Sequence, residues 1–212
     1  MIRLALDDLY PHMPWDEIDA VVFDIGNVLL RFVPAELLDS ILPDHRELHA
    51  ELMERVFRSP YWVMLDRGSI TLDEAVAAMS AGNDAMRPYV RTALTGWYDL
   101  PRIEEGIETL KVCKAHGKKI YALSNYPAEG ISYIWEKADF FRLFDGRIIS
   151  SSIQMVKPGR QIYDHLIAQF GLEPSRTLFI DDTPANIEGA MEAGWQGICF
   201  NREGKLRSFF AE

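Results

Sequence analysis

Residues 20–25 read AVVFDI, a short apolar run that ends on an acid, Asp24. Its hydrophobic residues are continuous rather than alternating, the pattern of a strand covered on both faces. The same pattern returns in KKIYALS (118–124), GRIISSS (146–152), TLFID (177–181) and QGICF (196–200). Between the last four runs lie segments of helical period, 131–138, 161–170 and 185–193, the last two closed by Gly171 and Gly194. Strand and helix in alternation predict an α/β fold: a Rossmann-like parallel sheet with crossover helices.

The first connection is different. Asp24 and Lys118 are separated by 93 residues, where a crossover needs only a dozen or more, and one helix over 102–116 suffices for it. The remainder reads as helix: PAELLDSIL (34–42), DHRELHAELMERVF (44–57), TLDEAVAAMS (71–80) and RPYVRTALTGWY (87–98), punctuated by Pro43, Pro60, Gly68 and Gly82. Thr71 followed by Glu74 is a capping box. The sequence thus predicts a core of residues 1–33 and 101–212 with an inserted all-helical cap domain of residues 34–100. Ligands of open parallel sheets bind at the carboxyl ends of the strands, so an insert after the first strand sits over the site as a lid. Residues 1–19 precede the first strand and are expected to form an arm over the core.

Composition narrows the classes. The 212 residues are 48% hydrophobic and 25% charged with a net charge of −10, values of an ordinary globular chain rather than a disordered one. An acidic surface repels nucleic acid and anionic lipid, so neither is expected as a partner. The apolar stretches are shorter than the roughly 18–20 residues a membrane span needs, and the acidic opening segment is unlike a signal peptide, so the expected location is cytoplasmic. Cys113 and Cys199 have no metal-type spacing and are expected as buried thiols.

The informative residues stand at the strand ends. Asp24 ends the first run, Ser124 the second, Lys157 follows the third, and Asp181 and Asp182 end the fourth. Each alone has a structural explanation as a turn, helix entry or solvated loop; together they deliver reactive groups to one sheet edge. Two carboxylates about 4 Å apart repel by roughly 4 kcal/mol at an effective dielectric of 20, so a converging Asp24 and Asp182 call for a cation. Mg²⁺ takes one or two carboxylates, keeps waters and accepts a phosphate oxygen. Lys157 supplies a point charge for phosphate and Ser124 a hydroxyl donor. The matching chemistry is attack of Asp24 on phosphorus and hydrolysis of the resulting aspartyl phosphate.

VVFDIGNVLL (21–30), ALSNYP (122–127), MVKPGRQIY (155–163) and LFIDDTPANIEGA (178–190) resemble, in order, the four motifs of the haloacid dehalogenase superfamily. The helical insert resembles its C1 cap, and the first motif resembles the branch of glucose-1-phosphate phosphatases and epoxide hydrolase N-terminal phosphatase domains. The resemblance implies Asp24 as nucleophile and metal ligand, and Ser124 and Asn125 as holders of the phosphoryl oxygens. It implies Lys157 as the tie between nucleophile and phosphate, Asp182 as a Mg²⁺ ligand supported by Asp181, and the Gly26 carbonyl as a further ligand. One departure matters. Most phosphatases of the superfamily carry a second Asp where this chain has Gly26, and general acid–base help is worth about 10²–10⁴ in rate. Either the substrate has a good leaving group, such as an anomeric sugar phosphate, or a cap residue supplies the proton, or turnover is slow and the protein mainly binds.

The expected function is a Mg²⁺-dependent phosphatase of a small phosphorylated metabolite. The alternatives are a metal-independent 2-haloacid dehalogenase, disfavoured by the Asp181–Asp182 pair, and a phosphate-binding regulatory module, disfavoured by the insert. His45 and His49, four apart, fit a solvated helix face better than a metal pair. Trp62, Trp97 and Tyr98 are expected mainly in the core of the insert, with a minority of them lining the substrate pocket, and Arg31 either meets an anionic substrate or is solvated.

Overall fold

In the computed structural model, residues 15–200 and 206–208 are described. Six strands form one sheet in the order β3-β2-β1-β4-β5-β6, from β1 (Ala20–Phe23), β2 (Lys119–Ser124), β3 (Gly146–Ile149), β4 (Thr177–Asp181), β5 (Gln196–Phe200) and β6 (Leu206–Ser208). The first five are mutually parallel, with Phe23 opposite both Ala122 and Ile180. β6, which the sequence pattern did not announce, is antiparallel to β5. All five expected strands are present, with three trimmed, the second only by Lys118 at its start. β1 ends at Phe23, leaving Asp24 one step beyond it, although its N–H still donates to Ile180 O at 2.9 Å. The third run stops at Ile149, because Ser150–Ile153 turn into a short helix, α8.

The continuous apolar runs are explained by layers on both faces. Val21 and Phe23 of β1, Ile120 of β2 and Ile180 of β4 pack on one side with α6 (Glu104–Ala115) and α7 (Ala128–Lys137). Ala20 and Val22, Leu123 and Phe179 pack on the other, against α9 (Arg160–Phe170) and α10 (Pro184–Glu192). Full burial of a side chain such as Val22 or Phe23 contributes about 1.5–3 kcal/mol, so a polar residue at either position would break the sheet centre. Gly171, in left-handed conformation, terminates α9 as its sequence position suggested.

Residues 34–95 are helical and have a hydrophobic cluster of their own, with Leu38, Leu52, Val56, Val76, Val90 and Leu94 at its centre. Its helices are α1 (Pro34–Ile41), α2 (His49–Leu52), α3 (Pro60–Arg67), α4 (Leu72–Met79) and α5 (Arg87–Thr95). The Thr71/Glu74 capping box is formed in both directions at the start of α4. The helix expected over 44–57 is present without interruption over 46–57, opening as a 3₁₀ turn (Arg46–Leu48), continuing as α2 and ending as a π turn (Met53–Phe57). His45 precedes the first turn in non-helical conformation and His49 lies within the helix, which separates the two: His49 Nε2 lies 3.0 Å from Leu42 O, while His45 packs its ring edge-on against Tyr89. The two chain segments that join this layer to the sheet run antiparallel, with Arg31 N–H donating to Pro101 O and Ile103 N–H to Leu29 O.

The expected arm falls largely on residues 1–14, outside the described residues; within them, Trp15 stacks on His116 with ring centroids 4.2 Å apart. Cys113 and Cys199 are buried free thiols, and burial pushes Cys113 up to about 12. Among the described residues no helix is long and apolar enough to cross a membrane.

Candidate active site

The parallel sheet places its carboxyl ends side by side, and the groups singled out by sequence meet there. Asp24, Gly26, Ser124, Asn125 and Lys157 share the wall of one cavity of about 210 Å³. Asp181 and Asp182 stand behind it, and together with Asp24 they offer carboxylate oxygens that all lie within 4.8 Å of one another.

Lys157 joins these acids. Its Nζ lies 2.9 Å from Asp24 Oδ1 and 2.6 Å from Asp181 Oδ2, with all three residues buried. Burial works against the ammonium, yet Asp181 and Asp24 outweigh it and hold its pKa above the usual value. The loop that carries Lys157 is fixed by Asn125, whose Nδ2 donates to Lys157 O at 3.1 Å and whose Oδ1 accepts the Lys157 N–H at 2.9 Å. Asn125 therefore acts on the lysine through its backbone, and one amide hydrogen remains for the cavity.

Asp181 is held from every side. Asn186 Nδ2 lies 3.0 Å from both of its oxygens, and Thr183 N–H donates to Oδ1 at 2.8 Å. Its oxygens are thus committed to the protein, whereas Asp182 is half-buried and accepts from Thr183 Oγ1 at 3.2 Å and from the Asn27 side chain. Burial and the neighbouring Asp181 raise the Asp182 pKa.

Asp24 shows the strain of the cluster. Burial pushes its pKa up to about 7, Lys157 opposes this, and Asp181 and Asp182 add to it. Three carboxylates around one ammonium carry a surplus of negative charge on hard oxygen donors. That donor set fits Mg²⁺, with Asp24 and Asp182 as the available carboxylates.

The loop after Asp24 is shaped to sit beside them. Ile25 N–H donates to Asp24 Oδ1 at 2.7 Å, and Leu29 and Leu30 N–H both donate to Ile25 O. Asn27 closes the loop in left-handed conformation, φ 53°, which Asn tolerates well. A Cβ built on Gly26 would meet nothing within 4 Å and the residue has no left-handed φ, so neither crowding nor backbone conformation forbids a side chain there.

The far wall comes from the helical layer. Trp62 and Asp66 of α3 line the cavity, with Leu30, Phe32, Leu100 and Tyr126 forming an apolar flank. Phe32 stacks on Trp62 with centroids 5.7 Å apart. Trp62 thus faces the cavity rather than serving only as core of the insert, and Tyr98 packs toward the sheet-side cluster beside Tyr133. Arg31 is away from this cavity, in a two-point ion pair with Glu36 at 2.8 and 2.6 Å.

Asp66, Asn186, Asn27 and Ser150 are the residues that sequence reasoning missed. For Asn186 a signal existed, since it lies in the first turn of the helix after the acid pair. For Asp66 the signal is weaker: an acid in the last turn of a helix opposes the helix dipole.

A protein-family model described as haloacid dehalogenase-like hydrolase matches residues 18–194. The sesquiterpene phosphatase astK of Aspergillus oryzae is 26% identical over 184 residues, 84% of this chain and 88% of that protein. Among solved structures, a HAD family enzyme of Bacteroides thetaiotaomicron in complex with magnesium and inorganic phosphate superposes with a TM-score of 0.68 at 17% identity, over 86% of this chain and 93% of that one. An L-2-haloacid dehalogenase of Xanthobacter autotrophicus superposes with a TM-score of 0.64 at 18% identity, over 85% and 76%. At these identities the solved structures speak for the fold, and the family match over most of the chain, with its motifs gathered around one cavity, carries the assignment: the chain belongs to the haloacid dehalogenase-like hydrolases.

Proposed function

We propose that the protein is a Mg²⁺-dependent phosphatase that hydrolyses a small phosphorylated metabolite through an aspartyl phosphate on Asp24, with residues 34–100 acting as a cap over the sheet. The observation that carries this reading is the cluster of three carboxylates within 4.8 Å of one another around the single ammonium of Lys157. A dehalogenase working without metal has no use for the surplus acids, and a regulatory module has no use for a closed apolar flank.

In this reading Asp24 Oδ2 is the attacking atom, because Oδ1 is occupied by Ile25 N–H and Lys157. It bonds to phosphorus as the ester P–O bond breaks, and water later attacks the same phosphorus and restores the carboxylate. Lys157 steadies the charge on the transferring group and orients the nucleophile. Ser124 and Asn125 hold phosphoryl oxygens at the end of β2. Asp24, Asp182 and the Gly26 carbonyl would hold Mg²⁺, with Asp181 anchoring Lys157 behind them. When bound, the ion would offset the carboxylate charge and polarise the phosphoryl group.

The flank formed by Leu30, Phe32, Trp62, Leu100 and Tyr126 favours a phosphate ester with an apolar or aromatic body over a sugar phosphate, whose hydroxyls need polar partners. The similarity to a protein named as a sesquiterpene phosphatase points the same way.

The test is phosphate release from an aryl phosphate with Mg²⁺ and with EDTA, repeated on Asp24→Asn. Release that requires the metal and falls by at least about 10³-fold in the variant, the size expected for loss of a nucleophile acting within a catalytic unit, supports the reading. Metal-independent halide release from a 2-haloacid, with no phosphate released, overturns it.

A further inference from the structure

The proposed reaction leaves one group unassigned, the one that protonates the departing alcohol. At the position where most phosphatases of the resembled superfamily carry that acid, this chain has Gly26, beside open space. Across the same cavity stands a carboxyl on the cap. We propose that Asp66 is the proton donor to the leaving oxygen and the base for the attacking water, so that the helical cap supplies the acid that the first motif lacks. This rests on the phosphatase reading and adds to it.

Three features position Asp66. α3 is bounded by Ser59, whose side chain caps Tyr61 N–H, and by Gly68 in left-handed conformation, so it is a short helix of fixed length. Its carboxyl end is docked on the core: Ser150 Oγ donates to the Asp66 carbonyl and accepts the Tyr126 N–H at 2.9 Å. At Gly68 a Cβ would fall 2.5 Å from the Ser151 carbonyl, so only glycine permits this approach. The Asp66 backbone is thereby tied to the loop after β2, and its side chain is left on the cavity wall.

The surroundings suit a proton carrier. Burial and the nearby Asp24 charge raise the Asp66 pKa to about 7, opposed by a hydrogen bond from the Trp62 side chain and by Lys157. The dipole of α3, negative at this end, also favours the neutral acid. The other protonatable groups on the wall are poorer candidates. Asp24 is the nucleophile, Lys157 is paired with two carboxylates, and burial followed by the charges of Tyr98 and Asp66 drives the Tyr126 phenol far above its usual value.

The proton balance closes. The Asp66 carboxyl gives its proton to the ester oxygen as the P–O bond breaks and the bonding pair moves onto that oxygen. The resulting Asp66 carboxylate takes a proton from the water that attacks the Asp24 phosphate. Inorganic phosphate leaves, the Asp24 carboxylate is regenerated, and Asp66 is again protonated.

Leaving-group dependence tests this directly, since an alkoxide needs the proton and a nitrophenolate does not. The isosteric Asp66→Asn should lose about 10²-fold or more in kcat/KM on an alkyl phosphate, within the range for general acid catalysis, and less than about 10-fold on p-nitrophenyl phosphate. Adding Gly26→Asp, for which there is room, should restore part of the alkyl phosphate activity. An equal loss on both esters, or no loss on either, overturns the role of Asp66 while leaving the phosphatase reading in place. A parent chain that releases phosphate from neither ester overturns both. Thermal unfolding of Asp66→Asn close to the parent excludes misfolding as the cause of any loss, because the docking bond uses the backbone carbonyl.

Discussion

Asp24, Ser124 and Lys157 reach the cavity from the ends of strands or the loops just beyond them, whereas Asp66 and Trp62 reach it from an eight-residue helix of the helical layer. The floor is made by a sheet whose register fixes where every strand ends, and its charged groups are paired within a dense hydrogen-bonded network. The wall is made by a separate hydrophobic cluster that meets the floor through docked backbone atoms and through Phe57 and Trp62, whose rings pack on Phe32. In the proposed reading the floor couples chemistry to folding, and the wall couples substrate selection to docking. A substitution in the floor should change stability and turnover together, while one in the wall should change them separately.

The strongest test of that division is Lys157→Met. It leaves Asp24 and Asp181 without their shared cation, and breaking a buried pair by removing one partner costs about 3–5 kcal/mol. Urea unfolding should show a loss of that order, and turnover should fall with it; an unchanged midpoint would show that the carboxylates do not depend on the lysine. Gly68→Ala comes next. A left-handed alanine costs about 1–2 kcal/mol, and here the methyl also meets the Ser151 carbonyl. Gly82→Ala is the control, since Gly82 has φ +79° but open space around it. Thermal unfolding, which shifts by about 2–4 °C per kcal/mol in a chain of this size, should drop further for Gly68→Ala than for Gly82→Ala, and equal drops would deny the docking. The smallest effect belongs to Phe32→Ala on the apolar flank. Loss of one aromatic face, worth about 1–2 kcal/mol of ground-state binding, should raise KM for aryl and alkyl phosphates roughly 5–30-fold with kcat little changed. Inhibition by inorganic phosphate, which in the proposed reading would touch only the floor, should stay the same.

The same contrast explains which parts of the molecule could be read in advance. AVVFDI, ALSNYP and LFIDD carry their own punctuation, an apolar run followed by a polar residue, and the parallel arrangement makes all those endings neighbours. The helical layer gave weaker signals. Its helices over 71–80 and 87–98 were legible from capping and periodicity, but PYWVMLDR, the segment that forms α3, lies between Pro60 and Gly68, which read as punctuation. The helix expected over 44–57 is there from residue 46, but its 3₁₀ opening and π ending were not legible, because no local propensity distinguishes those turns from α. Asn125 was legible as a site residue, yet its bonds to the Lys157 backbone bridge residues far apart in the chain, and its part in holding that loop was not.

What the sequence by itself determined is the succession of strands and helices, the inserted helical segment, and the five strand-end residues Asp24, Ser124, Lys157, Asp181 and Asp182, since hydrophobic period and chain punctuation are local properties. What only the tertiary structure decided is which of these atoms touch, that Asp181 is consumed by Lys157, Asn186 and Thr183, and that Asp66 and Asp24 line the same cavity. The physical reason is that charge pairing and docking depend on burial and on distances between residues remote in the chain, set by the packing of the helical layer on the sheet and not by the order of residues along it.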